Sequence, residues 1–328
     1  MTAREFLAGL PQRSALVVGD ICLDRWCTYD PDASEPSRET GIPRVAVTST
    51  EVTAGAGGTI ANNLMALGVS RVCLLGVVGN DGYGHELIGE LERRRISPAL
   101  VLRVDGWPTF TYTKLINMRT EEEDLPRVDF ISQRPLTSAI EDGILAHLRD
   151  FAPEFDAIFV SDQAETGQTA VVTPRVRHLL AELCVAHPKR VFWIDSRQRI
   201  GQFHHAVLKP NEQEANAACM GLFGRIDYRA LREHAHARCL IVTLGGRGAL
   251  VVDEAGETLV EGHHRPKPVD ICGAGDAFSA AAGMALAVQA SPVEAARFGN
   301  LAASITIMKR GTGTASPEEM LAEAGETA

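Results

Sequence analysis

Five short apolar runs punctuate the chain: Ala15-Leu16-Val17-Val18, Val72-Cys73-Leu74-Leu75-Gly76-Val77-Val78, Ala157-Ile158-Phe159-Val160, Val191-Phe192-Trp193-Ile194 and Leu240-Ile241-Val242-Thr243. None alternates with polar residues, so each needs apolar cover on both faces. That is the condition of a strand inside a parallel sheet. Parallel neighbours need long crossovers, and helical patterns lie between the runs. Thr173-Pro174 opens one helix with an N-cap and a first-turn proline, and Leu179, Leu180, Leu183 and Val185 form its apolar side. Ser291-Pro292 opens another that runs to about Lys309, and Ser316-Pro317-Glu318-Glu319 opens the last. The alternation predicts an α/β fold, doubly wound around a mostly parallel sheet.

Two stretches break the alternation. Residues 25–54 are rich in Thr, Ser, Pro and charge, and Thr109 to Ile116 alternates with period two, as a half-exposed strand does. Both are expected in a small β-sheet lid, formed by about 25–54 and 100–130 within a single domain of 328 residues.

Composition excludes several classes. A hydrophobic fraction of 45% suits a globular core, and no apolar run approaches the roughly 18–20 residues that span a bilayer. Residues 1–13 lack a signal-peptide core, so a cytoplasmic setting is expected. The seven cysteines are scattered without a C-x-x-C and read as reduced thiols. The doublets His204-His205 and His263-His264 lack metal-ligand spacing. A net charge of −10 argues against nucleic acid as a partner, while leaving room for local cations.

The chemistry concentrates at Asp270-Ile271-Cys272-Gly273-Ala274-Gly275-Asp276, followed by Ala277-Phe278 and a run of small residues. A glycine turn running straight into a helix N-terminus makes an anion site. A carboxylate beside it is electrostatically odd unless it takes a proton from a hydroxyl that attacks a bound phosphate. The plain alternative is a glycine-capped turn whose Asp satisfies the helix dipole. The pattern D-x-x-G-A-G-D-A-F resembles the signature of the ribokinase-like (PfkB) carbohydrate kinases, and the resemblance covers the chain from Val17 to about Met320. It implies a ribokinase-like fold using ATP and Mg2+, with Asp276 as catalytic base and the amides of Gly273, Ala274, Gly275 and Asp276 as the anion hole. Asp270 becomes a candidate ligand for a monovalent cation such as K+, although Ile271 and Cys272 replace hydroxyl residues common in the family.

Other motifs extend the resemblance. Asp20 and Asp24 follow the first strand, where ligands of open α/β sheets bind, and both are expected to accept hydrogen bonds from sugar hydroxyls. Ala54-Gly55-Ala56-Gly57-Gly58-Thr59 fails the dinucleotide fingerprint at Ile60 and resembles the family's first glycine signature. Gly55 would pack against the sugar. Thr59 stands where an Asn is usual, and a shifted alignment would offer Asn62 or Asn63 instead. Lys209-Pro210-Asn211-Glu212-Gln213-Glu214 resembles the P-N-x-x-E element. By that resemblance Asn211 and Glu214 orient nucleotide phosphates and magnesium through water, and the same residues also fit a helix capping box. Thr243, Gly245 and Gly248 match T-x-G-x-x-G on the nucleotide side, and Asn300 and Ala303 would line the adenine pocket. No Walker-type P-loop is present.

Within the family, Val17 to Arg25, Ser37-Arg38, Thr111 to Lys114, Arg127-Val128-Asp129 and Ser161-Asp162 resemble kinases acting on D-glycero-D-manno-heptose 7-phosphate. Glu165 replaces an expected lysine, and Asp195-Ser196-Arg197 an Asp-Pro-Lys. A sugar phosphate would need cations, for which Lys114, Arg127, Arg197 and Arg199 are candidates. Kinases of a ketohexose, ribose or nucleoside on the same fold, and a non-catalytic sugar-binding regulator, remain the alternatives. A homodimer through the lid is also expected.

Overall fold

Alternate residues of each apolar run pack against opposite helical layers, which is why none of the runs carries a polar face. The computed structural model describes every residue except 133, 165–169, 264, 266, 327 and 328, so Glu165 and His264 lie outside the described residues. The first half of the chain forms α1 (Ala3–Gly9), β1 (Ser14–Gly19), β2 (Ile21–Asp30), β3 (Ala46–Ala56), α2 (Gly57–Ala66), β4 (Arg71–Leu75), β5 (Val77–Gly79), α3 (Gly82–Arg93), β6 (Leu102–Val104), β7 (Thr111–Asn117), β8 (Val128–Phe130) and α4 (Ser138–Phe151). The second half forms β9 (Ala157–Asp162), α5 (Pro174–Ala186), β10 (Val191–Ser196), β11 (Val207–Leu208), α6 (Glu212–Phe223), α7 (Tyr228–His234), β12 (Cys239–Thr243), β13 (Gly248–Asp253), β14 (Gly256–Glu261), α8 (Ala274–Ala287), α9 (Pro292–Thr306) and α10 (Pro317–Glu323).

The main sheet runs β14-β13-β12-β11-β10-β9-β1-β4. Its strands from β12 to β4 are parallel, and β13 and β14 complete one edge antiparallel. Val17, Phe159, Trp193 and Ile241 pack beneath the layer containing α2, α8 and α9. Their neighbours Leu16, Ile158, Phe192 and Leu240 pack beneath α4, α5, α6 and α7. The fold is thus the expected α/β type.

Three expectations are corrected. The run from Val72 to Val78 is two strands: the chain leaves the main sheet at Gly76, and β5 pairs with β6 in a separate sheet. A β-carbon at Gly76 would stand 2.8 Å from the Gly19 carbonyl, so the departure needs a glycine. Val185, placed on the apolar side of α5, is 63% exposed. The helix from Pro292 ends at Thr306, before Lys309. The second sheet runs β3-β2-β7-β8, with β2 antiparallel to β3 and parallel to β7. It begins at Ile21 and reaches Ala56, wider than 25–54, and it does not include Leu102–Val104.

Helix α8 depends on close packing. Ala280, Ala281, Ala282 and Gly283 are buried, and a β-carbon at Gly283 would overlap Cε1 of Phe159 on β9. A β-carbon at Gly299 of α9 would stand 2.7 Å from the Phe278 ring. Two glycines therefore let α8 lie tight between the sheet and α9, which sets where its N-terminus emerges. Gly283→Val is expected to destabilise the protein by about 1–3 kcal/mol through overpacking against Phe159. Urea unfolding measures this, and an unchanged midpoint would refute the packing account.

Candidate active site

β1 ends at Gly19 and the chain passes through Asp20 into β2, so the second sheet hangs over the carboxyl ends of the parallel strands. Between the sheets lies a cavity of about 690 Å³. Asp276 lines it, in the first turn of α8. Gly273 is the N-cap with φ 78°, a left-handed conformation that suits glycine. A β-carbon there would stand 3.3 Å from the Thr59 and Thr312 methyl groups. The Ala274 N–H turns back to donate to the Ile271 carbonyl at 3.3 Å, which removes it from the expected anion hole. The amides of Gly275 and Asp276 belong to the first turn, which the helix itself does not satisfy.

Three carboxyls of this cavity, Asp20, Asp24 and Asp276, are raised by burial. Burial raises Asp276 to about 7, the Asp195 and Asp24 charges add to the rise, and Lys209 and Arg197 oppose it. Burial also raises Asp24 to about 6, against the Cys22 thiol, which donates at 3.6 Å, and the charges of Lys114 and Arg127. Gly55 lies across the β2–β3 ladder from Cys22, and a β-carbon on it would stand 2.6 Å from Cys22 Sγ and overlap Asp24 Oδ2. Its contribution is therefore room for Asp24. Gly55 is not among the residues that line the cavity, where the resemblance places packing against a sugar.

Asp20 differs from expectation. Its Oδ2 accepts from the Gln163 and Ala164 amides at 2.8 Å, and Oδ1 from the Val171 amide at 3.0 Å. It lines the cavity, yet its oxygens tie β1 to the segment after β9. Burial raises it to about 6. Thr59 lines the cavity, whereas Asn63 is buried and donates to the Thr59 carbonyl at 2.9 Å, and Asn62 donates to Thr53 Oγ1 at 3.2 Å. The ungapped alignment is thus the one that brings a polar side chain to the cavity, and Asn63 is withdrawn as a substrate contact.

Three candidate cations line the cavity: Lys114, Arg127 and Arg197. Arg127 makes a two-point ion pair with Asp129, Nε to Oδ1 at 2.7 Å and Nη2 to Oδ2 at 2.7 Å, over the Tyr112 ring. Lys114 Nζ lies 3.9 Å from Glu123 Oε2. Arg199 is corrected: it is buried, pairs with Asp162 and donates to the Ala164 carbonyl at 2.9 Å. It belongs to the scaffold.

The residues expected on the nucleotide side stand outside the walls of this cavity. Asn211 caps α6 and accepts from the Glu214 amide at 2.9 Å, while Glu214 Oε2 accepts from the Asn211 amide at 2.8 Å. Burial raises the Glu214 carboxyl, helped by Asp195. The Thr243 amide donates to the Pro210 carbonyl, which joins this corner to the turn after β12. There Gly245 and Gly248 have φ of 60° and 100°. Asn300 is buried and its Nδ2 donates to the carbonyls of Val260 and Glu261 at 3.1 Å, so it braces the end of β14, one turn before the partly buried Ala303. Asp270 accepts from the Cys272 amide at 2.9 Å and the Gly311 amide at 3.1 Å. Among the described residues no cluster of three or more His, Cys, Asp or Glu is arranged for a metal.

Sequence reasoning missed Asp195 and Lys209 as site residues. Lys209 Nζ lies 2.7 Å from Asp195 Oδ2, with both side chains over nine-tenths buried, and 3.5 Å from where a β-carbon on Gly275 would stand. The available signal was position: an Asp ending one apolar strand and a Lys ending the next.

This architecture is that of ribokinase-like proteins. Ribokinase from Thermotoga maritima superposes with a TM-score of 0.70 over 96% of this chain and 100% of its own, at 22% identity. Phosphofructokinase-2 from Escherichia coli, solved in complex with potassium, gives 0.71 over 95% and 98%, at 19% identity. Residues 12–319 match the pfkB family of carbohydrate kinases, and the chain belongs to that family. The bifunctional protein HldE of Geobacter sulfurreducens is 30% identical over 322 residues, covering 95% of this chain and 63% of that protein, so the chain spans less than two thirds of this relative's length.

A carboxyl raised to about 7 binds its proton more tightly folded than unfolded, so its contribution to stability falls as pH rises from about 4 to 7 and is flat above. Asp276→Asn should therefore melt higher than the parent at pH 8, with the difference shrinking as pH falls through that window. Calorimetry at pH 5 and 8 checks the sign.

Proposed function

We propose that the chain transfers the terminal phosphoryl group of ATP to a hydroxyl of a sugar phosphate resembling D-glycero-D-manno-heptose 7-phosphate. The observation that carries this reading is Asp276, set at the N-terminus of α8 and facing a cavity that also holds Asp24 and the cations Lys114, Arg127 and Arg197. Asp24 accepts a hydrogen bond from the acceptor and orients its hydroxyl. Asp276 takes the hydroxyl proton as the oxygen bonds to the terminal phosphorus, and the bond from that phosphorus to the ADP oxygen breaks. The Gly275 and Asp276 amides, with the positive end of the α8 dipole, carry the charge on the phosphoryl oxygens. Lys114, Arg127 and Arg197 take the phosphate already on the acceptor, which explains why cations gather in an acidic protein.

Asn211, Glu214, Thr243, Gly245, Gly248, Asn300 and Ala303 form the ATP side. Amide and carboxylate oxygens suit a hard ion, and Glu214 with Asn211 would hold water around magnesium, which when bound neutralises phosphate charge. Asp270 remains the candidate for potassium, through the loop it ties to Gly311. The second sheet acts as the lid that excludes water. Its exposed Val47, Val128, Phe130 and Ile131 suit a homodimer, which sedimentation would read as twice 35.3 kDa. Seven free thiols suit a cytoplasmic setting.

One observation favours a second acceptor class. Lys114 and Arg127 each already face a carboxylate, an arrangement that an unphosphorylated sugar would leave undisturbed. A coupled ADP-release assay with heptose 7-phosphate, free heptose, fructose and ribose separates the two. Turnover on the phosphorylated acceptor alone is expected, and turnover on free sugars alone would overturn that part of the reading. In the same assay Asp276→Asn should lose about two to four decades of kcat while still binding acceptor. Full activity in that variant would remove Asp276 from its role.

A further inference from the structure

Behind Asp276 lies a charge pair that the reaction described above does not use. Asp195 is the last residue but one of β10, Lys209 follows β11, and their 2.7 Å contact is buried beside the first turn of α8. Burying such a pair costs free energy that its mutual attraction barely returns, so a purely structural pair would be easily replaced by apolar packing. The pair is also tied to the reacting helix. Ser279, one turn after Asp276 on α8, donates to Asp195 Oδ2 at 3.3 Å. Lys209 Nζ approaches the backbone of Gly275, the residue before Asp276. The two charges are thus held at fixed positions beside one carboxylate, with opposite effects on it.

We propose that Asp195 and Lys209 are positioning residues that set the proton affinity of Asp276, with Ser279 keeping the pair in register with α8. This inference rests on Asp276 being the general base. The electrostatic balance agrees in sign: after burial, Asp195 is the largest influence raising the Asp276 pKa, and Lys209 the largest lowering it. Other titratable groups surround the same volume. They are Asp24 and Cys22 on β2, Arg197 after β10 and Cys272 before α8, with Glu214 of α6 facing Lys209. Burial depresses the Lys209 pKa, but Asp195, Glu214 and Asp276 outweigh it and the net shift is upward, so the lysine stays charged while Asp276 titrates.

The test is the Asp276 titration midpoint, read by carbon NMR of its carboxyl in the whole, ligand-free protein. The pH profile of kcat/KM is measured alongside. Lys209→Gln keeps a donor for Asp195 but removes the charge, and should move the midpoint up by about one unit. Asp195→Asn keeps an acceptor for Lys209, and should move it down by about one unit. The acid limb of kcat/KM should follow in the same directions, and Lys209→Arg should restore the parent midpoint. A role confined to packing would not give opposite signs. Equal midpoints, or shifts in the same direction, would overturn the proposal, and each variant carries its own sign, so either alone decides. Full turnover in Asp276→Asn would instead sink the general-base reading, and the NMR midpoints would still report on the pair.

Discussion

Close approach of α8 to the parallel sheet is the constraint on which the site depends. A helix normally stands off a sheet by the thickness of two side-chain layers. Here Gly283 admits the Phe159 ring, and Gly299 of α9 admits Phe278 from the other side. The helix is pinned along its length by groups that cannot move without overlap, so its first turn is delivered at the carboxyl ends of the strands with little freedom. Catalytic groups work only when they are held to within fractions of an ångström. In this protein the position of that first turn is set by small residues inside the core, Gly283 and Gly299.

The electrostatics of the cavity follow from the same geometry. Asp24 arrives from β2, Asp195 from β10 and Asp276 from α8; Asp195 is buried, and Asp24 and Asp276 are partly buried at the cavity wall. Burial raises the carboxyls of Asp24 and Asp276, and the charges of Lys209, Lys114, Arg127 and Arg197 oppose the rise. On the proposed reading, stability is given up where proton transfer needs a carboxylate that ionises near neutral pH.

Much of this was legible in the sequence. The buried strands, the glycine turn before Asp276 and the capped helices at Thr173, Ser291 and Ser316 are local patterns whose physics acts over a few residues. The errors have a common form. Asp20, Asn63 and Arg199 are polar residues near functional motifs, and each satisfies a buried backbone group or ion pair of the scaffold. Buried polar groups must be partnered, and a sequence does not reveal whether the partner is a substrate or the protein's own main chain. Val72 to Val78 failed for a related reason: apolar residues on both sides of Gly76 cannot show that the two halves join different sheets.

By itself the sequence determined the kind of fold, the family, and the identity of the residue at the head of α8, because periodicity, capping and a contiguous motif are all written in neighbouring residues. Only the tertiary structure decided which polar groups share one volume. Lys209 meets Asp195 across parallel strands, Gly55 makes room for Asp24, and Thr59 rather than Asn63 reaches the cavity. These are contacts between segments far apart in the chain, and their distances are set by how the sheets and helices pack together.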